Sequence, residues 1–580
     1  MVREGEPSRP GVQRFERDFF TPGSPFTVIG QGELGGKAAG LAAAQSALAN
    51  RLDRREIEAV EIAIPFLTVI ATDHFEAFVT SNRLLELVAR EPTDDDIARA
   101  FLAAELPATL VGDLRSLALQ VRQPLAVRSS SLLEDATHHP FAGVYVTKMI
   151  PNEALDVDTR YRKLVEAIKL VWASTFYRAA RDYRAVIGVD ESSERMAVIL
   201  QEVVGRRHGS RFYPDLSAVG RSYNYYPSGH ARPEDGVGEL ALGLGKTIVD
   251  GEPAWSYSPA FPKSPPPYND LGELLENTQT EFWAVNMGPA PYDPARETEY
   301  LVRCPLADAE ADDVLRLVAS TYDPSANRLV PGVGRSGPRL LNFAPLLQYG
   351  LAPVNAVHRA LLDACAAAAA APVEIELAWT LDPLPGRCGF LQMRSMVVPG
   401  ADIDLQEAEM HGDGLLVAST TALGHGSLEG LRDVVYVRPD RFDPARTPEI
   451  AREIEPLNAA LVRGGRPYLL LGFGRWGSSD ARGGVPVGWA QIGGARAIVE
   501  IPTDELRGEP SQGSHFFHNL TAFRVLYLTV DRQHRHEVDW AWLERQPAEL
   551  EGALLRHVRL DRPLVVKVDG RTRRGVVRHD

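Results

Sequence analysis

Cysteine is scarce in this chain. Cys304, Cys365 and Cys388 are the only three in 580 residues, and none forms a C-x-x-C pair. That excludes a disulfide framework and a cysteine-based zinc site, and it fits a reducing cytoplasm. Long apolar runs are also missing. The most apolar stretch, Ala360 to Val373, carries Asp363 and is too short to span a bilayer. The opening MVREGEPSRPGVQRFERDFF has no apolar core of the kind a signal peptide needs. No membrane association is therefore expected. There is no excess of positive charge either: the formal net charge is −15, so wholesale binding to nucleic acid is not expected. Lysine is the rarest charged residue, with seven among 62 basic positions. Surface charge here is written with arginine, so a lysine beside glycines stands out, and Lys37 and Lys246 both sit that way. The rest of the composition, 24% charged and 44% hydrophobic, is that of a soluble globular protein, and the length suggests two to four domains.

The most informative stretch is Pro124–Gly143, PLAVRSSSLLEDATHHPFAG. Leu125-Ala126-Val127 reads as a short buried strand. It delivers Arg128 and then Ser129, Ser130 and Ser131 into what the pattern predicts is a loop, followed by Glu134-Asp135 and the small-residue turn Phe141-Ala142-Gly143. One guanidinium with a row of hydroxyls suits a polyphosphate. An arginine paired with Glu134 or Asp135 at a strand end is the alternative.

Upstream, Phe26–Ile29 reads as a strand and Gly30–Lys37 as a glycine-rich turn opening a helix from Ala38 to Leu48. Gly30, Gly32 and Gly35 fit a G-x-G-x-x-G dinucleotide pattern, but no regular βαβ series follows. The turn also fails as a P-loop, because Gln31 replaces its first glycine and Ala38 its hydroxyl residue. Further on, Asp156 to Val186 has helical apolar spacing, with Arg178, Arg181 and Arg184 read as a solvated face. Met196–Val204 is a buried strand interrupted by Gln201 and Glu202. Arg221 with Tyr223, Tyr225 and Tyr226 could stack on a nucleobase or form an ordinary surface. Gly236–Gly251 is a second glycine-rich stretch ending in Gly245-Lys246-Thr247. Pro253–Pro294 reads as linker or insert, and Ala360–Ala371 as an alanine-rich helix. Glu374–Trp379 and Gly389–Arg394 read as two strands that can bring Glu376, Gln392 and Arg394 to one side. Carboxylate and amide oxygens suit Mg2+, and an adjacent arginine suits phosphate.

These segments, in this order, resemble the N-terminal nucleotide-binding domain of the phosphoenolpyruvate synthase / pyruvate phosphate dikinase family. Val127-Arg128-Ser129-Ser130 with Glu134-Asp135 and Phe141-Ala142-Gly143 is one match. Gly35-Gly36-Lys37-Ala38-Ala39-Gly40-Leu41, Gly243–Gly251 and the Glu374–Trp379/Leu391–Arg394 pair are the others. Lys246 stands where the family has Glu. The resemblance implies an α/β (α+β) ATP-grasp fold in two lobes, 25–215 and 216–400; by composition and pattern, 1–24 reads as a loose arm before it and 401–580 as a smaller α/β domain after it. It implies ATP and Mg2+ as ligands. Arg128 and Arg394 take catalytic roles. Lys37, Arg128, Gln201, Glu202, Glu376, Gln392 and Arg394 bind nucleotide, with Gln201 and Glu202 at the adenine hinge, and Glu376 and Gln392 hold the metal. The family's phosphohistidine and pyruvate-barrel domains are not found in 401–580. Gly424-His425-Gly426 and Gly513-Ser514-His515 lack the small-residue helix that follows the phosphohistidine. Arg475, Asp480, His515 and His518 form either a candidate acceptor site or a packed loop with satisfied hydrogen bonds, and His534 and His536 read as surface. The function expected is a kinase-type phosphotransferase acting on an unidentified acceptor, a small molecule or a protein; the alternative is a non-catalytic ATP sensor acting through a partner.

Overall fold

The computed structural model describes the chain apart from residues 1–11, 18–25, 56, 135–142, 188, 190–193, 226, 228–229, 265–270, 277, 397, 399–402, 478–483, 504–515, 517–518, 521–522, 531–537 and 580. It has mixed α/β content. The first sheet has six strands in the order Gln13–Arg14, Phe26–Ile29, Leu67–Ile70, Met196–Glu202, Leu125–Ser131, Thr147–Ile150. Gln13–Arg14 is held in parallel against Thr27–Val28 and Phe15 is buried, so this piece of the arm is docked rather than loose.

The two faces of this sheet follow from strand alternation. Leu125 and Val127 join Val198 and Leu200 in a core with the helices Thr72–Ser81, Asp94–Ala103, Ala108–Gln120 and Val157–Ser174. Trp172 lies at its centre, fully buried against Phe78 with ring centroids 4.8 Å apart. Ala126 and Arg128 point the other way. Beyond the Val157–Ser174 helix, Arg178–Ile187 forms a separate helix, and its arginines are not one solvated face. Arg178 is exposed, but Arg184 is buried and paired with Glu194 at 3.2 Å. A carboxylate placed inside by the Glu194–Arg195 segment draws it in.

The second sheet runs Trp255–Tyr257, Val237–Ala241, Leu216–Arg221, Val373–Thr380, Arg387–Ser395, Glu61–Ala63. The helices Gly36–Asn50 and Val354–Ala369 pack together on one of its faces, over Val373, Ile375 and Leu377. Two glycines allow the close approach of the second helix, because a side-chain carbon at Gly220 would lie 2.4 Å from the His358 ring and one at Gly238 3.1 Å from it. Residues 253–294 are not a linker: they supply Trp255–Tyr257 to this sheet and Glu281–Asn286 to a four-stranded sheet with 206–208, 211–213 and 301–305.

Residues 415–579 build a nine-stranded mixed sheet. Four of its strands, Gly426–Val437, Tyr468–Phe473, Ala495–Ile501 and Leu526–Thr529, are parallel neighbours, with the helix Thr447–Arg463 crossing between the first two. The ends of the sheet, Leu415–Ser419 and Thr421–Leu423, are separated by Thr420 alone, so the sheet curls back on itself around an apolar interior. Its outer side shares a continuous core with the first sheet's helices: Tyr183 meets Phe523 at 5.1 Å between ring centroids, and Arg178 pairs with Glu455 at 2.6 Å. No helix among the described residues is long and apolar enough to cross a membrane.

Candidate functional site

The strand that carries Arg128 extends further than its apolar residues. Leu125–Ser131 is paired along its whole length with Met196–Glu202, so Arg128 and the three serines are strand residues, not loop residues. The backbone ladder overrides the low strand preference of serine. Pairing with the other neighbour, Thr147–Ile150, stops at Arg128. Past that point the Ser129–Ser131 edge is open to the glycine-rich turn.

Ser130 fastens that turn. Its hydroxyl donates to the carbonyl of Leu34 at 2.8 Å and accepts from the Ala38 amide at 3.1 Å, near the start of the Gly36–Asn50 helix. Gly35 makes the approach possible. It sits at φ 76°, and a side-chain carbon there would lie 1.8 Å from the Ser130 carbonyl oxygen. The other end of the turn is held by the next helix, where Asp73 accepts from the Gln31 amide at 3.0 Å and Thr72 from the Glu33 amide at 2.9 Å. Lys37 then reaches Glu134 at 2.6 Å and Ser129 at 3.0 Å. Glu134 is buried and also accepts from the Ser129 hydroxyl and the Ser131 amide, both at 2.9 Å. The sequence offered Glu134 as a partner for Arg128; the structure pairs it with Lys37, and Arg128 with Glu376. The residues after it in the motif, Asp135, Phe141 and Ala142, lie outside the described residues.

Arg128 spans from the first sheet to the second. Nη1 donates to Gln201 Oε1 at 3.1 Å and to the Leu391 carbonyl at 3.0 Å, while Nη2 donates to Glu376 at 3.3 Å and to Gln392 Oε1. Glu376 and Gln392 are direct cross-strand partners, as are Glu374 and Arg394. Alternation therefore sets all four on one face. Arg394 pairs with Glu374, its Nε at 2.7 Å. Glu374 is shared with Arg221 at 2.6 Å, and Arg221 also reaches Glu239 at 3.0 Å. Arg221 is fully buried, so it is a strut inside the sheet and not a surface for stacking a base.

Gln201 is thus beside Arg128. Glu202 is the last residue of the same strand, half-buried, and burial pushes its carboxyl up. That strand lies between two neighbours rather than at an edge. Lys246 is occupied with Asp250, 2.9 Å away one helical turn on. The scarcity of lysine did not reveal Lys148, the most deeply buried of the described lysines that form ion pairs, at 2.6 Å from Glu299 with burial holding its amine below the usual range. The only signal was its place in a strand.

Of the candidate acceptor residues, Asp480, His515 and His518 lie outside the described residues, as do His534, His536 and Tyr226. Arg475 begins a two-residue strand paired with Gly484–Val485. The His425 side chain is buried; its Nδ1 lies 3.0 Å from the Gly570 amide and 3.4 Å from Asp569 Oδ1, and its Nε2 lies 3.3 Å from the Ile403 amide. Asp433, Glu549 and His557 have metal-ligand spacing, but the Arg466 guanidinium pairs with both carboxylates.

The comparisons with known proteins agree with the nucleotide-site motifs. Residues 31–257 match the family described as pyruvate phosphate dikinase, AMP/ATP-binding domain. The resemblance of this part of the chain to that domain is therefore shown. Similar curated proteins include a phosphoenolpyruvate synthase of Aeropyrum pernix, 27% identical over 188 residues, which are 32% of this chain and 20% of that protein. A rifampicin phosphotransferase of Streptomyces sviceus is 29% identical over 208 residues, 33% of this chain and 22% of that protein. The chain thus matches about a fifth of the length of either relative. Glu376, Gln392 and Arg394 lie beyond the family match, and the structure brings Glu376 and Gln392 to Arg128, inside it.

Two outcomes follow from these contacts. Gly35→Ala forces a side chain against the Ser130 carbonyl at a positive φ, and should lower stability by about 2 kcal/mol or more, read as a fall in the thermal unfolding midpoint. Glu500 gives a pH dependence. It is buried, accepts from the Trp476 amide at 2.7 Å, and its carboxyl is pushed by burial from 4.5 up to about 7. Between those values the folded chain keeps a proton that the unfolded chain has lost, so stability falls as pH rises through the window. Glu500→Gln should remove that decline: the variant should melt higher than the wild type above about pH 7, and the advantage should fade towards pH 4.5, in unfolding scans across pH.

Proposed function

We propose that this protein is an ATP-dependent phosphotransferase. The reading takes 25–215 and 216–400 as the two lobes of an ATP-grasp module, with 401–580 as a C-terminal domain. The observation that carries it is the convergence of Arg128 from the first sheet with Glu376 and Gln392 from the second, next to Arg394 on the same face. Lys37, Arg128 and Arg394 supply three cations for a triphosphate, which is the charge that phosphoryl transfer requires to be neutralised. In this reading Gln201, which meets Arg128, and Glu202, the next residue of that strand, serve the nucleotide from the first sheet.

Glu376 and Gln392 fit a divalent cation. Both present oxygen, and Nη2 of Arg128 already meets an oxygen of each, so one positive centre can satisfy both. Mg2+ held by these two residues would offset the charge of the phosphates. The residues of this chain do the rest: Lys37 and Arg394 orient the phosphates, while buried Glu134 and Glu374 set where those two cations point. The acceptor is a small molecule or a protein side chain.

The test is product analysis with ATP labelled separately at the β and γ positions, with Mg2+. ADP, or AMP with label left on the protein or an added acceptor, is the expected result. Arg394→Ala should lower that turnover by about a hundredfold or more. ATP that is bound and recovered unchanged, with Arg394→Ala weakening only its binding, would replace this reading by that of an ATP-sensing module.

A further inference from the structure

Glu376 carries two competing demands. Its Oε2 is 3.3 Å from Arg128 Nη2, and the same nitrogen donates to Gln392 Oε1. These are the two oxygens assigned to the metal above. A guanidinium and a divalent cation on the same oxygens repel each other, because two positive centres are brought together in a site where Arg128 is only 12% exposed and Glu376 20%. The other half of the Arg128 fork is tied to Gln201 and the Leu391 carbonyl, neutral partners that hold it less strongly than a carboxylate.

We propose that Arg128 and a divalent cation compete for Glu376 and Gln392, so that occupation of these oxygens by metal releases the Arg128 guanidinium to the nucleotide phosphates. The proposal rests on the ATP reading and adds a coupling to it. Glu376 is then a positioning residue for Arg128 as well as a metal ligand. Nucleotide without metal meets an arginine already engaged, whereas nucleotide arriving with metal meets a free one. Metal and nucleotide must each strengthen the binding of the other, by the same factor, because coupling between two sites is reciprocal. Lys37 and Arg394 differ from Arg128 in this respect: their carboxylate partners, Glu134 and Glu374, are not metal ligands in this scheme and remain attached throughout.

The test is a binding cycle with a fluorescent ATP analogue, in EDTA and in Mg2+. The proteins are the wild type, Glu376→Gln, Arg128→Ala and the double variant, each first shown to keep its thermal unfolding midpoint. In EDTA, Glu376→Gln should bind the analogue about threefold more tightly than the wild type, the effect of releasing one partly exposed ion pair. Mg2+ should strengthen binding to the wild type and add little to the variant. In the Arg128→Ala background, Glu376→Gln should give no gain. Gln392→Ala removes the second tether without changing charge and should give a smaller gain in EDTA, which keeps the question answerable if Glu376→Gln does not fold. An equal gain with and without Arg128 would mean that only negative charge was removed, and would overturn the proposal. So would no gain from either single variant in EDTA. Failure of the wild type to bind the analogue with or without Mg2+ would overturn the ATP reading and this proposal with it, whereas ATP binding without the gain would overturn this proposal alone.

Discussion

The contact between Arg128 and the Glu376–Gln392 pair is the constraint on which the site depends. One charged side chain leaves the first sheet and ends on the second, more than two hundred residues along the chain. A half-buried guanidinium without a counter-charge would be costly, and so would a half-buried carboxylate. Each side therefore needs the other. The geometry of both strands has to be right to within a hydrogen bond for the arrangement to exist at all.

The second sheet solves a similar problem in its interior. Glu239, Arg221, Glu374 and Arg394 form a chain of alternating charge across four neighbouring strands. Buried ion pairs of this kind contribute little net stability, because desolvation cancels most of the attraction, but breaking one partner leaves an uncompensated charge. What such a network supplies is placement: it fixes the Arg394 guanidinium relative to the face that carries Glu376 and Gln392. On the first sheet Glu134 does the same for Lys37, while Gly35 allows the turn to approach Ser130. In both cases the residue that would touch a phosphate is held by a carboxylate that would not.

The C-terminal part is bound into the same body. Its curled sheet presents the helix Thr447–Arg463 and the 489–492 segment to the helix Arg178–Ile187, and the apolar residues of both belong to one core.

The sequence alone determined what is local. The 3.6-residue spacing of Leu164, Ile168 and Val171 is enough for a helix, and a run such as Leu469–Leu471 is enough for a buried strand, because periodicity is a property of neighbouring residues. Ordered motifs showed the nucleotide-binding segment, since Lys37 and Arg128 stand among residues that recur together. Alternation even put Gln392 and Arg394 on one face. Tertiary structure decided everything that depends on a partner far along the chain. It turned Arg128 and Ser129–Ser131 from loop into strand by pairing them with 196–199. It drew Arg184 and Arg221 inside to meet Glu194, Glu239 and Glu374, where composition had suggested a surface. It built 253–294 into two sheets, although proline content suggested a linker. It gave Glu134 and Glu374 their work. Charge and polarity say what a residue costs to bury, but only the fold says whether a counter-charge is waiting.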